Sequence, residues 1–284
     1  MILPDCEVRE IFESQKYRLL CSCKTDNNPT AVILGGQPAC GKSNLTIRIK
    51  QENPSKSFLT INGDLYREYH PGGNWMKKND TENYSTKTQN FSNIFTEKLI
   101  EEAIRNKFNV IVEGTMRKMN VPINTARNFK RNGFDVQAFV IAVHPIITEL
   151  GIYRRYLEEM KIIGAGRLSD INSHNDAVNG LLISVNELYT NDLADVHIYN
   201  YLAEKHVLSF KLSEQISTNN LPNRIIEAER ANNLLNKDML EEHIHKGKKT
   251  LKEIDENLKP KVSKIISQLE FFRKNLQKKA GLSM

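Results

Sequence analysis

Ala31-Val32-Ile33-Leu34 is a short apolar run that stops at Gly35-Gly36-Gln37-Pro38-Ala39-Cys40-Gly41-Lys42-Ser43. Four apolar residues ended by glycines are the pattern of a strand buried on both faces of a parallel sheet. From Gly36 the spacing is G-x-x-x-x-G-K-[ST], the phosphate-binding P-loop, which needs a strand before it and a helix after it. Leu45 and Ile49 continue at helical spacing over 42–52, so both flanks are present. Glycines let the backbone curl until N–H groups point at phosphate oxygens, and the helix N-terminus adds a favourable dipole. Gly36, Gln37, Pro38, Ala39, Cys40, Gly41, Lys42 and Ser43 are therefore the expected ATP-binding set. In it, Lys42 neutralises the β- and γ-phosphates and the Ser43 hydroxyl ligates Mg2+.

The strand-then-helix pattern repeats on either side. A helix is expected over 5–23, strands at Phe58–Ile61, Asn109–Val112 and Val136–Val143, and helices at 90–107, 121–132 and about 146–161. Val207–Leu212 is a last strand candidate. This alternation predicts an α/β fold, a mostly parallel sheet flanked by helices. Beyond it lies a charged helical appendage. The expected division is a P-loop domain over residues 1–222 and a helical C-terminal region over 223–284. In the latter Leu251, Ile254, Leu258, Val262, Ile265, Leu269, Phe272 and Leu276 recur at three- and four-residue steps. Pro260 is expected to kink or break that series. Its seam is expected to pack on the same chain rather than to pair with another.

The chain has 284 residues, 39% of them hydrophobic and 26% charged, which suffices to bury a core without disulfides or metals. Its apolar runs are far shorter than the roughly 18 residues that span a bilayer. No signal peptide is legible, so a cytoplasmic protein is expected. Cys6, Cys21, Cys23 and Cys40 form no C-x-x-C pair and suggest neither zinc nor a disulfide framework. The net charge of +6 is local. Residues 246–284 hold 11 Lys and Arg against 4 Asp and Glu, leaving 29 against 30 for the rest of the chain. A near-neutral main domain argues against nucleic acid as a partner.

Asp64 and Glu113 each follow a strand. Ligands of open α/β sheets bind outside the carboxyl ends of the strands, so both carboxylates should share an edge with the P-loop. One could accept a proton from an incoming hydroxyl, the other position substrate or Mg2+. Arg154 and Arg155 sit on a helix and Arg167 follows Gly164-Ala165-Gly166. Arginines placed over a triphosphate balance charge on the transferred phosphoryl group.

Several segments together carry a family resemblance. They are Leu34–Ser43, Ile61-Asn-Gly-Asp64 with Tyr69-His-Pro71, Ser92-Asn93 with Thr96-Glu97, and Val112-Glu-Gly-Thr115 with Arg117. Val121–Ala126, Arg155-Tyr156, and Gly166-Arg167 with His174 complete the series. In this order and spacing the chain resembles the zeta toxin family of bacterial toxin–antitoxin systems over residues 30–180. The resemblance implies a P-loop kinase fold, with residues 1–222 as the kinase domain, and an enzyme that phosphorylates the 3′-hydroxyl of the amino sugar in UDP-N-acetylglucosamine with ATP and Mg2+, poisoning cell-wall synthesis. It implies that Asp64 is the general base and that Glu97, Glu113, Thr115, Arg117 and Thr125 line the sugar-nucleotide pocket. It further implies that Arg155 and Arg167 stabilise the transferred group, and that a separate small helical antitoxin is the partner. The alternatives are a related antibiotic or nucleoside kinase, which keeps Lys42 and Asp64 but changes the acceptor pocket, and a non-catalytic nucleotide-binding regulator.

Overall fold

The computed structural model describes residues 3–164, 166–214 and 221–281. Among them six strands form one sheet: β1 (Thr30–Gly35), β2 (Phe58–Asn62), β3 (Asn109–Glu113), β4 (Asp135–Ile141), β5 (Asp195–Tyr199) and β6 (His206–Phe210). Their spatial order is β2-β3-β1-β4-β5-β6. Strands β1 to β5 are mutually parallel and β6 closes the edge antiparallel to β5. The α/β class and the mostly parallel sheet are as the sequence predicts.

β1 lies at the centre, and its six residues are all buried. Successive side chains of a strand point to opposite faces, and the two cores divide accordingly. Ala31 and Ile33 join one apolar cluster, Val32 and Leu34 the other. The first face is covered by α1 (Asp5–Leu20), and the chain then crosses through α2 (Lys42–Glu52) on the second. The short α3 (Gly63–Tyr66), α4 (Gly73–Asn79) and α5 (Thr81–Lys87) follow β2 and lead into α6 (Gln89–Arg105). With α7 (Asn120–Arg131), α6 packs on the first face through Phe91, Phe95, Leu99, Ile123 and Phe129. On the second face α8 (Pro145–Ile163) contributes Ile147, Leu150 and Tyr153.

No signal in the sequence marks the short helices α3, α4 and α5, strand β5 or helix α9. The strand β5 reads Asp195-Val-His-Ile-Tyr199, without the apolar run that marks β2 and β3, and its pairing with β4 makes it a strand. The helix α9 (Ile171–Thr190) buries His174, Ala177, Gly180 and Ser184 beside Leu181, Val185 and Leu188. Small and polar residues on its buried face blur the apolar periodicity that marks an amphipathic helix. Helix α1 also stops at Leu20, three residues short of the expected end, and the last strand is His206–Phe210 rather than Val207–Leu212.

The C-terminal region is three helices, α10 (Pro222–Leu235), α11 (Lys237–Glu253) and α12 (Lys259–Gly281). The expected helical tail over 282–284 lies outside the described residues. The break falls at Ile254–Leu258, before Pro260, which sits in the first turn of α12 where a missing N–H costs nothing. Leu240, Ile244, Leu258, Val262, Ile265 and Leu269 are buried in the same cluster as Val32 and Leu34 of the central strand. The seam thus packs on its own chain. The composition change at 222/223 is not a boundary in the core, because these helices form one wall of it.

Candidate active site

The P-loop leaves β1 and turns into α2 through two left-handed positions, Ala39 (φ 63°) and Gly41 (φ 103°). Gly41 is required there twice over, since a Cβ would also come within 2.9 Å of the Leu202 backbone. Lys42 Nζ donates to the carbonyl oxygens of Gly36 (2.7 Å) and Gln37 (3.1 Å), so the ammonium lies folded against its own loop. Ser43 is exposed at the start of α2. A curled backbone, a helix N-terminus and a lysine at its mouth suit a nucleoside triphosphate with its Mg2+.

The Gln37 side chain turns inward and is fully buried. Its Nε2 donates to Val143 O (2.9 Å) and Thr148 Oγ1 (3.3 Å), and its Oε1 accepts from Arg230 (3.4 Å). Gln37 therefore leaves only its backbone available to any ligand of the loop. Cys40 is buried under Gly36. Burial pushes its thiol above the ordinary value, so it is a packing residue rather than a reactive one.

Strand register carries the two carboxylates to the loop. Leu34 of β1 pairs with Glu113 of β3, and Glu113 with Asn62 of β2, at the carboxyl end of the sheet. Glu113 accepts from Thr46 Oγ1 of α2 (2.6 Å) and from Asn62 Nδ2 (2.7 Å), which fixes both of its oxygens beside the P-loop helix. Asn62 also caps α3 by accepting from the Asp64 N–H (3.0 Å). Stacking of Tyr66 and Tyr69 on Phe95 ties this turn to α6, with ring centroids 5.7 and 5.5 Å apart.

Asp64 stands at the mouth with its side chain 45% exposed. Its Oδ1 accepts from Arg67 Nε (3.1 Å) and its Oδ2 from Arg167 Nη1 (2.8 Å). The surrounding protein raises the carboxyl by desolvation, and the guanidinia of Arg167 and Arg67 more than offset this, holding it below the ordinary aspartate value. Arg155 stands next to them on α8, its Nη2 donating to Ser169 Oγ (2.7 Å). Glu159 accepts from the Arg167 backbone N–H (2.7 Å) and lies 3.8 Å from Arg155 Nε. Burial and the neighbouring Arg167 charge both lower the Arg155 guanidinium. Three guanidinia here face two carboxylates, a local excess of positive charge suited to phosphate.

The structure thus brings Asp64, Arg155 and Arg167 into one cluster, and Glu113 into the strand ends beside the P-loop helix. Arg117 is exposed and adds its charge near Asp170, the N-cap of α9. The Thr125 hydroxyl is bonded to Val121 O within α7 (2.9 Å), and Glu97 is exposed on α6. Among the described residues no hydrogen bond or ion pair joins Glu97, Thr115, Arg117 or Thr125 to that cluster. Sequence reading missed Asn62, Thr46, Arg67 and Arg230. Of these only Arg67 had a local signal, its i,i+3 spacing from Asp64. A separate cavity of about 710 Å3 opens between α10 and α12 beside His144, Leu234, Phe272 and Leu276. It shares with the P-loop network only Arg230.

Comparison with known proteins shows the family and the fold. The family model described as Zeta toxin matches residues 16–209. Toxin PezT of Streptococcus pneumoniae serotype 4 is 31% identical over 186 residues, covering 65% of this chain and 73% of that protein. Toxin zeta of Enterococcus hirae is 31% identical and that of Streptococcus pyogenes 30% identical, each over 180 residues. The chain spans 62% of the length of these two zeta toxins. A structure from the PezAT chromosomal toxin–antitoxin system of S. pneumoniae superposes with a TM-score of 0.73 at 24% identity, over 88% of this chain and 98% of that one. The fold is shared, and the matched segment runs from α1 through β6, enclosing the P-loop, Asp64, Glu113 and the arginine cluster: the chain belongs to the zeta toxin family.

Proposed function

We propose that this chain is a toxin kinase that moves the γ-phosphoryl group of ATP to the 3′-hydroxyl of the amino sugar in UDP-N-acetylglucosamine. The observation that carries the reading is the convergence of the P-loop lysine, a carboxylate and two arginines at the carboxyl end of one sheet. Bound ATP would supply the phosphoryl group, with Mg2+ balancing phosphate charge: the acceptor oxygen forms the new O–P bond, the bond to the β,γ-bridging oxygen breaks, its electron pair leaves with ADP, and the hydroxyl proton passes to Asp64.

The residues divide the remaining work. Lys42 would leave its loop carbonyls to hold the triphosphate, and the Ser43 hydroxyl would be a ligand for Mg2+. Asp64 accepts the proton of the attacking hydroxyl, a contribution of about 10²–10⁴ in rate for a positioned base. Its depressed pKa keeps it ionised at neutral pH, the form a base must have. Arg155 and Arg167 balance charge on the transferred group, and Glu113 with Asn62 shapes the floor between nucleotide and acceptor. Glu97, Thr115, Arg117 and Thr125 belong to the acceptor side, where they meet ligand rather than one another.

Membership in the zeta toxin family supports a growth-arresting role, and the partner proposed is a separate antitoxin protein, the kind of assembly named for PezAT. No helix among the described residues is long and apolar enough to cross a membrane. The deciding experiment is a mass spectrum of UDP-N-acetylglucosamine incubated with the protein, ATP and Mg2+, beside a Lys42→Ala control. One added phosphoryl group, absent in the control, is expected. An unmodified sugar nucleotide with ATP still bound moves the reading to another acceptor.

A further inference from the structure

The cavity between α10 and α12 has a volume of about 710 Å3. Sites that hold small molecules run from roughly 300 to 1,000 Å3 and are mostly apolar, with a few convergent polar groups. The wall fits that description: Leu234 lies on α10, Phe272 and Leu276 on α12, and Pro145 in the first turn of α8. The cavity opens to water, so an occupant that covered these side chains would recover apolar surface.

Set into the apolar wall is a buried cation, Arg230, which is 6% exposed. Its Nη2 donates to Gln37 Oε1 and Val178 O, both neutral acceptors. Its Nε is buried without a partner among the described residues, and no hydrogen bond from Nη1 is found among them. A buried guanidinium held by neutral groups alone lacks the opposite charge that offsets its desolvation. At the rim, Glu227 and Lys278 are both exposed and carry opposite charges, which leaves Arg230 as the surplus. His144 adds a neutral donor: its Nδ1 accepts from the Ile146 N–H (3.2 Å), so the ring proton sits on Nε2.

We propose that this cavity binds a small organic monoanion, a carboxylate on an aliphatic or aromatic body. Its head meets Arg230, and its body lies against Leu234, Phe272 and Leu276. One surplus positive charge calls for one negative charge, and a charge-assisted hydrogen bond is the strong kind. An apolar wall selects against sugars and nucleotides, whose hydroxyls would be buried unpaired. The site lies outside the cluster of Asp64, Arg155 and Arg167, and it goes beyond the kinase reading.

The test is calorimetric titration of the full chain with decanoate, kept below the concentration at which it forms micelles. Decanol serves as the uncharged probe of the same length. Wild type is expected to take up decanoate at a single site per chain, about tenfold tighter than decanol or better, the worth of a hydrogen bond to a charged group. Arg230→Met keeps an apolar stem and is expected to abolish that preference, weakening decanoate about tenfold while leaving decanol unchanged. Leu276→Trp narrows the cavity from α12 and is expected to weaken both probes. Ala231→Trp narrows it from α10 and serves if melting curves show that Leu276→Trp disturbs the fold. An equal preference for decanoate in wild type and Arg230→Met overturns the proposal. So does undiminished uptake by a narrowed variant that melts like wild type, since the probe would then bind elsewhere. No uptake by wild type, or uptake at many equivalent sites, overturns it too. Neither probe is a nucleotide, so failure here leaves phosphoryl transfer to its own test.

Discussion

The side-chain oxygen of Gln37 in the P-loop accepts a hydrogen bond from the guanidinium of Arg230 on α10, 3.4 Å away and 193 residues later in the chain. Arg230 also donates to Val178 O (3.1 Å), and among the described residues it has no carboxylate within ion-pair distance. Burial lowers its guanidinium to about 10. The C-terminal helices thus reach the P-loop through a buried cation whose hydrogen-bond acceptors are neutral and whose charge Glu227 only partly balances.

Removing that cation should therefore separate stability from function. Arg230→Met relieves a buried charge that has only neutral acceptors, so unfolding free energy is expected to stay within about 1 kcal/mol of wild type or rise. Nucleotide affinity is expected to fall about two- to tenfold, the worth of one hydrogen bond holding the loop. Chemical denaturation and calorimetric titration on the same preparation check both halves. A variant that loses stability and keeps its affinity contradicts the argument.

Gly151 lies in α8 where Ala39 of the P-loop touches the helix, and a Cβ there would sit 2.9 Å from the Ala39 Cβ. Alanine would raise helix propensity by about 0.8–1 kcal/mol. Contact with a loop already held at φ 63° runs the other way. Gly151→Ala is expected to keep its helical circular dichroism and to bind nucleotide more weakly. Tighter binding would show that the loop can retreat at no cost.

His243 of α11 is 1% exposed, and neither ring nitrogen has a partner among the described residues. Desolvation pushes it down to about 4, and His144, also desolvated, to about 4. A histidine whose folded value lies below its unfolded one binds its proton in the unfolded chain first. Its neutral form supports the fold fully above the unfolded value of about 6.5, and that support drains as pH falls toward 4. Stability is expected to drop across that window by up to about 3 kcal/mol per residue. His243→Phe, which keeps an aromatic ring against Tyr201, is expected to flatten the decline. Melting curves from pH 7 to 4 that run parallel in wild type and variant would refute this.

Glu113 satisfies two donors, Thr46 Oγ1 and Asn62 Nδ2. Glu113→Ala orphans both, at about 1–3 kcal/mol for the buried Thr46 hydroxyl and less for the half-buried Asn62 amide. Glu113→Gln keeps the shape but turns an N–H2 toward one of them. The expected order of denaturation midpoints is wild type, then glutamine, then alanine, with phosphoryl transfer falling in the same order. Glutamine matching wild type in both assays would mean that Glu113 is not held as an acceptor pair.

The strand–loop–helix around Gly36–Ser43 was readable because every residue of a P-loop answers to a local demand: a buried strand, a backbone curl, a helix start. Asp64 and Glu113 were readable as residues that follow strands, since parallel α/β topology sends all strand ends to one edge. Helix α9 and strand β5 were not, because their pattern carries small and polar residues whose burial depends on neighbours far along the chain. The inward turn of Gln37 was equally hidden, since its acceptors and donors come from Val143, Thr148 and Arg230.

Local spacing and apolar periodicity were enough to set the class of fold, the phosphate loop and the two strand-end carboxylates. These follow from short-range rules of backbone geometry and from the period of each element. Long-range packing alone put Arg167 on the second oxygen of Asp64, Glu113 between Thr46 and Asn62, and α11 and α12 against the central strand. Hydrogen bonds and apolar contacts act over a few ångströms, whatever the separation along the chain. Partners that lie tens to hundreds of residues apart are therefore chosen only when the sheet closes.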